Sequence, residues 1–376
     1  MTAGMYITAR IRKSPFFDST VAAGASEFSV YNKTYLPGYP DPEGQFWALV
    51  EDVALWDVTC QRVVEISGPD AFAFMDRLTP RNLAKCQVGH CRYVLLTDRG
   101  GGILNDPVLM RLAEDRFWLS SADGDVAMWA RGVAVEGRHD VRITKPDVAT
   151  LQLQGPKSTS VLQALIGDSV LSLSYYHHRE AEIDGIPILL ARTGFSAERG
   201  YELYLLDTAR GGELWQFLME AGRDHGIRPG SPSRIRRIEA GILDYGVDMN
   251  ETTNPFEVGL GRLVDLSPEA DYIGKAALQR IKAEGIKRKI VGLEIEGSPV
   301  GPNDVSIPIE ADGQAAGYVT SWIYSPRLEG NIGLAMLNLA QSELGSRVEI
   351  LAGGGPRAAT VVPTPFVDPE KWLART

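Results

Sequence analysis

The chain has 376 residues, a formal net charge of −10, 44% hydrophobic residues and 23% charged residues. At about 150 residues per domain this length suggests two or three domains with a sizeable core, and the acidic balance argues against a general binder of nucleic acid or anionic membrane. No run of 18 apolar residues is present, which excludes a transmembrane helix, and the first residues lack the apolar stretch of a signal peptide, so a cytoplasmic location is expected.

Ser67-Gly68-Pro69-Asp70 ahead of AFAFMDRLT reads as a helix start, with Asp70 at its N-terminus. Residues 91–120 read as strand, turn, strand, strand: CRYVLLT, then DRGGG, then ILNDPVLMRL, then FWLSSA. Residues 122–136 fit a helix. From residue 141, VRITKPDVATLQLQG alternates as strands do, and KSTSVLQALIG fits a short helix. IPILLARTGF and GYELYLL are β-rich runs on either side of SAER, a hairpin signal. LWQFLMEAGRDHG is helical to Gly226, and SRIRRIEAGILDYG is predicted as a second helix ending near Gly246. KAALQRIKAEG is helical to Gly285, a plausible boundary between 1–285 and 286–376. Beyond it KIVGLEIEG, AAGYVTSWIYS, NIGLAML, SRVEILAGG and RAATVVPTP are closely spaced strands, the pattern of a small barrel or sandwich. Strands and helices do not alternate strictly, so the class is α+β.

Few residues stand out chemically. With three cysteines, five histidines, no HExxH and no CxxC, neither a disulfide framework nor a zinc site has support. Gly100-Gly101-Gly102 lies between strands and lacks GxxxxGK[ST], so it reads as a hairpin turn rather than a phosphate loop. Gly353-Gly354-Gly355 reads the same way. Asp106 ends an apolar run and precedes Pro107; it is either a turn former or a functional carboxylate. Glu202 shares a strand face with Tyr204, and the ordinary reading is a solvent-facing position. Arg237 and Gly241 share a helix face, and with Arg234 and Arg236 they suggest a solvated basic surface. His177 and His178 point in different directions on a strand, at the surface or a pocket edge, and do not suggest a shared metal.

Taken in order, GGILND, LQLQGPKS, RTGFSAERGYELYL, RRIEAGILDYGVDMNETTNPFEVGLGRLV and YIGKAAL resemble the tetrahydrofolate-dependent aminomethyltransferase family, typified by the glycine-cleavage T-protein. The likeness runs the length of the chain and is greatest to the branch that demethylates dimethylsulfoniopropionate. The T-protein has a His-Met pair where this chain has Cys60-Gln61, and Asp-Asp-Leu where it has Asn105-Asp106-Pro107. The resemblance implies a cloverleaf of three subdomains around a folate channel, the last a C-terminal β-barrel. It implies an enzyme that moves a methyl group from a small methylated donor, dimethylsulfoniopropionate foremost, to N5 of tetrahydrofolate. Asp106 and Tyr93 would be catalytic. Glu202, Tyr204, Arg237, Gln154 and Tyr245 would bind the cofactor, Glu202 by accepting two adjacent pterin N–H groups. Phe195, Tyr175, Tyr176 and Tyr31 would meet the donor. The alternatives are an O-demethylase of a methoxy-aromatic acid, a glycine-cleavage aminomethyltransferase and a folate-binding accessory protein of iron–sulfur assembly. The implied partners are small molecules, without nucleic acid or membrane, and a homodimer is compatible with the likeness.

Overall fold

The computed structural model describes residues 8–376. Residues 1–7, which carry part of the signal-peptide reading, lie outside that range. Helix α1 (Phe17–Ala22) precedes a hairpin of β1 (Glu27–Tyr31) and β2 (Thr34–Gly38). Asn32 and Lys33 close it with φ of 46° and 58°. Both central residues of a type I′ turn need positive φ, and Asn adopts it readily. The Asn32 amide also donates to the carbonyls of Cys60, Ser121 and Ala122. This ties the hairpin to the next lobe. Helix α2 (Pro42–Glu51) follows, capped by Asp41 accepting from the Gly44 N–H at 3.0 Å.

Two sheets stand face to face. The first lobe has β4 (Arg62–Ser67), β5 (Cys91–Tyr93), β8 (Val108–Ala113), β9 (Arg116–Ser121) and β10 (Arg142–Thr144), in the order β10-β4-β9-β8-β5. Helices α3 (Ala71–Leu78) and α4 (Val126–Gly137) cover its outer face through Phe74, Met75, Val126 and Ala130. The second lobe has β3 (Val53–Asp57), β11 (Ala149–Gln154), β12 (His178–Ile183), β13 (Ile186–Ala191), β14 (Gly200–Leu205) and β15 (Ile227–Gly230), in the order β12-β13-β14-β11-β3-β15. Helices α5 (Ser158–Ile166) and α6 (Gly211–Ala221) cover its outer face. Alternation along β14 sends Tyr201, Leu203 and Leu205 into that helix-covered core. Each such buried side chain contributes about 1.5–3 kcal/mol. Tyr204, on the opposite face, packs with Met110 and Trp118 of the first lobe, its ring 5.9 Å from Trp118. Both faces of β14 are therefore dry, and Glu202 is 3% exposed. The solvent-facing reading of Glu202 fails because a second sheet lies where water was expected.

Three predicted elements differ in extent. The strand through Asp106 is split into a short pair, β6 (Leu96–Thr97) and β7 (Ile103–Asn105), and then β8. Pro107 has no N–H for the ladder, so pairing stops there. The GGG segment between β6 and β7 is the expected turn, with Asp98 Oδ1 accepting from the N–H groups of Gly100 and Gly102. Helix α7 (Arg234–Glu239) ends well before Gly246, because Gly241 adopts φ +59° and the Ile242 N–H returns to the Arg237 carbonyl. Arg236 and Arg237, expected on a solvated face, are 0% and 4% exposed. His178 is likewise buried, its Nε2 at 3.0 Å from the Arg111 carbonyl, while His177 stays half-exposed beside His90.

Helix α8 (Lys275–Glu284) ends at Gly285 with φ +81°, as the sequence suggests. The third lobe is a closed barrel of β16 (Arg288–Ile295), β17 (Ile307–Ala311), β18 (Gln314–Ser325), β19 (Gly330–Asn338), β20 (Arg347–Ala352) and β21 (Gly355–Val362). Strand β17 was absent from the sequence reading; Pro308 hides it. A short helix, α9 (Trp372–Arg375), ends the chain. The barrel packs on α2 and α7 through Phe46, Ile235, Ile238, Ile323, Ile332 and Met336. The result is an α+β cloverleaf of three lobes. Among the described residues, no helix is long and apolar enough to cross a membrane.

Candidate functional site

Asp106 sits at the break between β7 and β8, where the ladder cannot hold it flat. The Tyr93 hydroxyl donates to its Oδ2 at 2.9 Å. Burial pushes the Asp106 carboxyl up to about 7; the Tyr93 hydrogen bond pulls it back, and the charge of Asp244 pushes it further up. Asp106 is densely surrounded yet keeps part of its surface open. Such a group borders solvent rather than lying in a dry core. Burial and the neighbouring carboxylate raise the Tyr93 phenol in turn, so it stays a proton donor. Asn105 points the other way, and its Nδ2 donates to the Asp123 carbonyl at 2.7 Å.

Glu202 is held differently. Its cross-strand neighbour is Gln152 on β11, whose Nε2 donates to Oε1 at 2.8 Å. The Thr193 hydroxyl donates to Oε2, and the Tyr204 hydroxyl reaches the same oxygen at 3.3 Å. Burial raises the Glu202 carboxyl, and the hydrogen bonds from Thr193, Gln152, Tyr204 and Gln61 draw it back down. Two acceptors beside this carboxylate, Gln61 Oε1 and Gln152 Oε1, are buried without a donor. Unpaired buried acceptors are costly, so this corner suits a ligand edge rich in N–H groups. Sequence reading passed over Gln61, Gln152 and Thr193 as site residues. The available signal was period two: Gln152 lies two residues before Gln154, on the same strand face.

The other expected residues are spread around these two carboxylates. Tyr204 lies directly on Glu202. Tyr245 is half-buried in the fields of Glu251, Asp106 and Asp123. Tyr31, at the end of β1, faces Asp244 and Asp123. Tyr176 has φ 59° and lies near Cys91 and Glu202. Tyr175 packs edge-on against Tyr176 at 4.8 Å and faces Arg375 and Arg192 instead. Phe195 is half-buried in the connection from β13 to β14, two residues from Thr193.

Gln154 and Arg237 are engaged within the protein. The Gln154 amide donates to the carbonyls of Thr193 and Tyr201, and its Oε1 accepts from Ser196 at 2.7 Å. A Cβ at Gly200 would come within 2.4 Å of that amide, so a larger residue there would push the Gln154 side chain from its hydrogen bonds. Arg237 Nη1 donates to buried Asp248 at 2.7 Å and Nη2 donates to Ser321 of the barrel at 2.7 Å. Arg236 holds the β13–β14 connection from the other side, its Nε donating to Glu198 at 2.6 Å. Gln154 and Arg236 thereby fix the loop that presents Thr193 and Phe195.

Residues 16–268 match the GCVT N-terminal domain, and residues 288–368 match the glycine cleavage T-protein C-terminal barrel domain. Dimethylsulfoniopropionate demethylase DmdA of Ruegeria pomeroyi is 37% identical over 96% of this chain and 98% of that protein. An aminomethyltransferase of Symbiobacterium thermophilum is 36% identical over 85% of this chain and 87% of its own length. Aminomethyltransferase T of the glycine cleavage system from Bartonella henselae superposes with a TM-score of 0.85 at 25% identity, covering 95% of this chain and 98% of the other.

Proposed function

The chain belongs to the glycine-cleavage T-protein family of folate-dependent one-carbon transferases, and from that premise we propose that it demethylates dimethylsulfoniopropionate, passing the methyl group to tetrahydrofolate. The similarity to DmdA along nearly the whole chain carries this reading. We also take residues 1–285 as the folate-binding region and 286–376 as the barrel unit.

The residues present fit tetrahydrofolate. A pterin offers a ring N–H beside an amino group, and Glu202 with the orphaned oxygens of Gln61 and Gln152 supplies acceptors for them. Tyr204 braces the carboxylate. When bound, tetrahydrofolate supplies a neutral secondary amine as the methyl acceptor. A sulfonium donor leaves as a neutral thioether, so the protein need not protonate the leaving group. What remains is positioning and one proton. Asp106, with its carboxyl at about 7, is matched to accept the proton released from the amine near neutral pH. Tyr93 orients that carboxylate. In this reading Tyr31 meets the cationic donor and Tyr245 the cofactor. Phe195, Tyr175 and Tyr176 complete the donor side. Gln154 and Arg237 act through the backbone they hold.

An anaerobic assay with tetrahydrofolate and dimethylsulfoniopropionate tests this. Equal amounts of 5-methyltetrahydrofolate and methylmercaptopropionate by mass spectrometry are expected. Absence of both, with tetrahydrofolate still bound, would sink the donor assignment and turn attention to methoxy-aromatic acids. Methylenetetrahydrofolate formed from a loaded lipoyl carrier protein would instead favour the aminomethyltransferase chemistry of the other relatives.

A further inference from the structure

We propose that Glu198 is a positioning residue for the folate site, holding the β13–β14 connection so that Thr193 meets Glu202. The inference deepens the reading above and rests on it for the pterin lying against Glu202. Hydrogen bonds lead from Glu198 to Glu202 in an unbroken series. The Glu198 N–H donates to the Ser196 hydroxyl at 3.1 Å, and that hydroxyl donates to Gln154 Oε1 at 2.7 Å. Gln154 Nε2 donates to the Thr193 carbonyl at 3.2 Å, and the Thr193 hydroxyl donates to Glu202 Oε2. The same Gln154 nitrogen holds the Tyr201 carbonyl, next to Glu202.

The connection does not take this path unaided. Ala197 has φ 54°, in the left-handed region, where its Cβ crowds the backbone. A residue keeps that shape only where its surroundings over-determine it, and such residues gather at ligand sites. Here one buried arginine supplies the constraint. Arg236 Nε donates to Glu198 Oε1 at 2.6 Å, and Nη2 donates to the Ala197 carbonyl at 3.4 Å. The arginine side chain is 0% exposed and that of Glu198 is 4% exposed, so solvent does not screen the pair. A buried ion pair adds little net stability, because desolvation offsets its attraction. What this one supplies is direction: a rigid planar fork sets two neighbouring residues at once. The pair is also anchored in the third lobe. Glu239, three residues on along α7, accepts from Ser325 of β18 at 2.7 Å. Arg327, in the β18–β19 hairpin, lies over the Phe46 ring at 5.2 Å. Its Nη2 is 3.8 Å from Glu198 Oε1 and 3.6 Å from Glu239 Oε2. The barrel thereby bears on the folate corner through Glu198.

The test is anaerobic binding of tetrahydrofolate to the full chain, measured by calorimetry. Glu198→Ala should weaken it about tenfold, and Glu198→Gln, which keeps an acceptor at the same length, should weaken it no more than about threefold. Thr193→Val should by itself weaken it about tenfold. Because Glu198 acts through Thr193, the losses of Glu198→Ala and Thr193→Val should not multiply, and the double variant should stay near about tenfold rather than about a hundredfold. Glu198→Ala and Gln61→Leu should multiply, because Gln61 enters the corner from the β3–β4 connection. A general loosening of the fold would treat Thr193 and Gln61 alike. If Glu198→Ala does not fold, Arg236→Lys takes its place. Lysine keeps the charge but cannot hold Glu198 and Ala197 together, so a loss of about fivefold is expected, again not multiplying with Thr193→Val. Unchanged affinity in the folded variant, or losses that multiply with Thr193→Val, overturn the proposal. Donor turnover is not read, so the outcomes separate. Failure to demethylate dimethylsulfoniopropionate would sink the functional reading and leave this coupling standing, and multiplied losses beside normal demethylation would do the reverse.

Discussion

Glu202 and Asp106 are both enclosed carboxylates, and their surroundings are opposite. Glu202 sits between two sheets, where burial raises its carboxyl and hydrogen bonds from Thr193, Gln152 and Tyr204 offset part of that rise. Asp106 sits at a strand break, where burial, helped by the like charge of Asp244, pushes its carboxyl up to about 7 against the pull of the Tyr93 hydrogen bond. A group that only binds is best held ionised and immobile. A group that takes a proton must lie near the working pH, and under-pairing is how the fold arranges it.

The contrast can be broken most sharply at Asp106. Asp106→Asn should lower turnover by about 10²- to 10⁴-fold while folate affinity stays within a factor of about two; wild-type turnover would remove Asp106 from the reaction. Glu202→Ala should invert that pattern. Folate binding weakens roughly 10²-fold, and turnover at saturating folate changes far less, a split visible by calorimetry and steady-state kinetics. Gln61→Leu or Gln152→Leu should weaken folate about five- to tenfold by removing an acceptor from the same corner. Tyr93→Phe removes the hydrogen bond that lowers the Asp106 carboxyl, so the acid limb of the pH–rate profile moves upward. Turnover then falls about threefold at pH 7 and recovers near pH 9, whereas a uniform loss at all pH would point to positioning alone.

The smallest effect is on stability. The Asp106 carboxyl goes from 3.8 to about 7 on folding, so it favours the native state only while protonated. That contribution is complete below about pH 4 and lost above about pH 7. Asp106→Asn should therefore stabilise the protein at pH 8 by roughly 1–2 kcal/mol, allowing for the part of the group open to solvent, and leave it unchanged near pH 4. Thermal melts at the two pH values measure the difference.

Local chemistry was legible in the chain. The GGG turn rests on Asp98, the stop at Gly285 on positive φ, and five of the six barrel strands on closely spaced β-rich runs. The ordered motifs carried the family, and with it Glu202 and Asp106 as residues of interest. Other features depended on what lies across a gap. Helix α7 stops at Glu239 because Gly241 turns the chain left-handed and Arg237 reaches into the barrel, neither of which its helical periodicity announces. A lone Glu on an alternating strand looks solvent-facing until a second sheet covers it. Gln61, Gln152 and Thr193 are ordinary polar residues until packing strips them of water and aims them at one carboxylate. Sequence sets period, turns and caps because these depend on neighbours along the chain. Burial, and with it the pairing of every charge at the site, is set by segments far apart in sequence, so only the tertiary structure decides it.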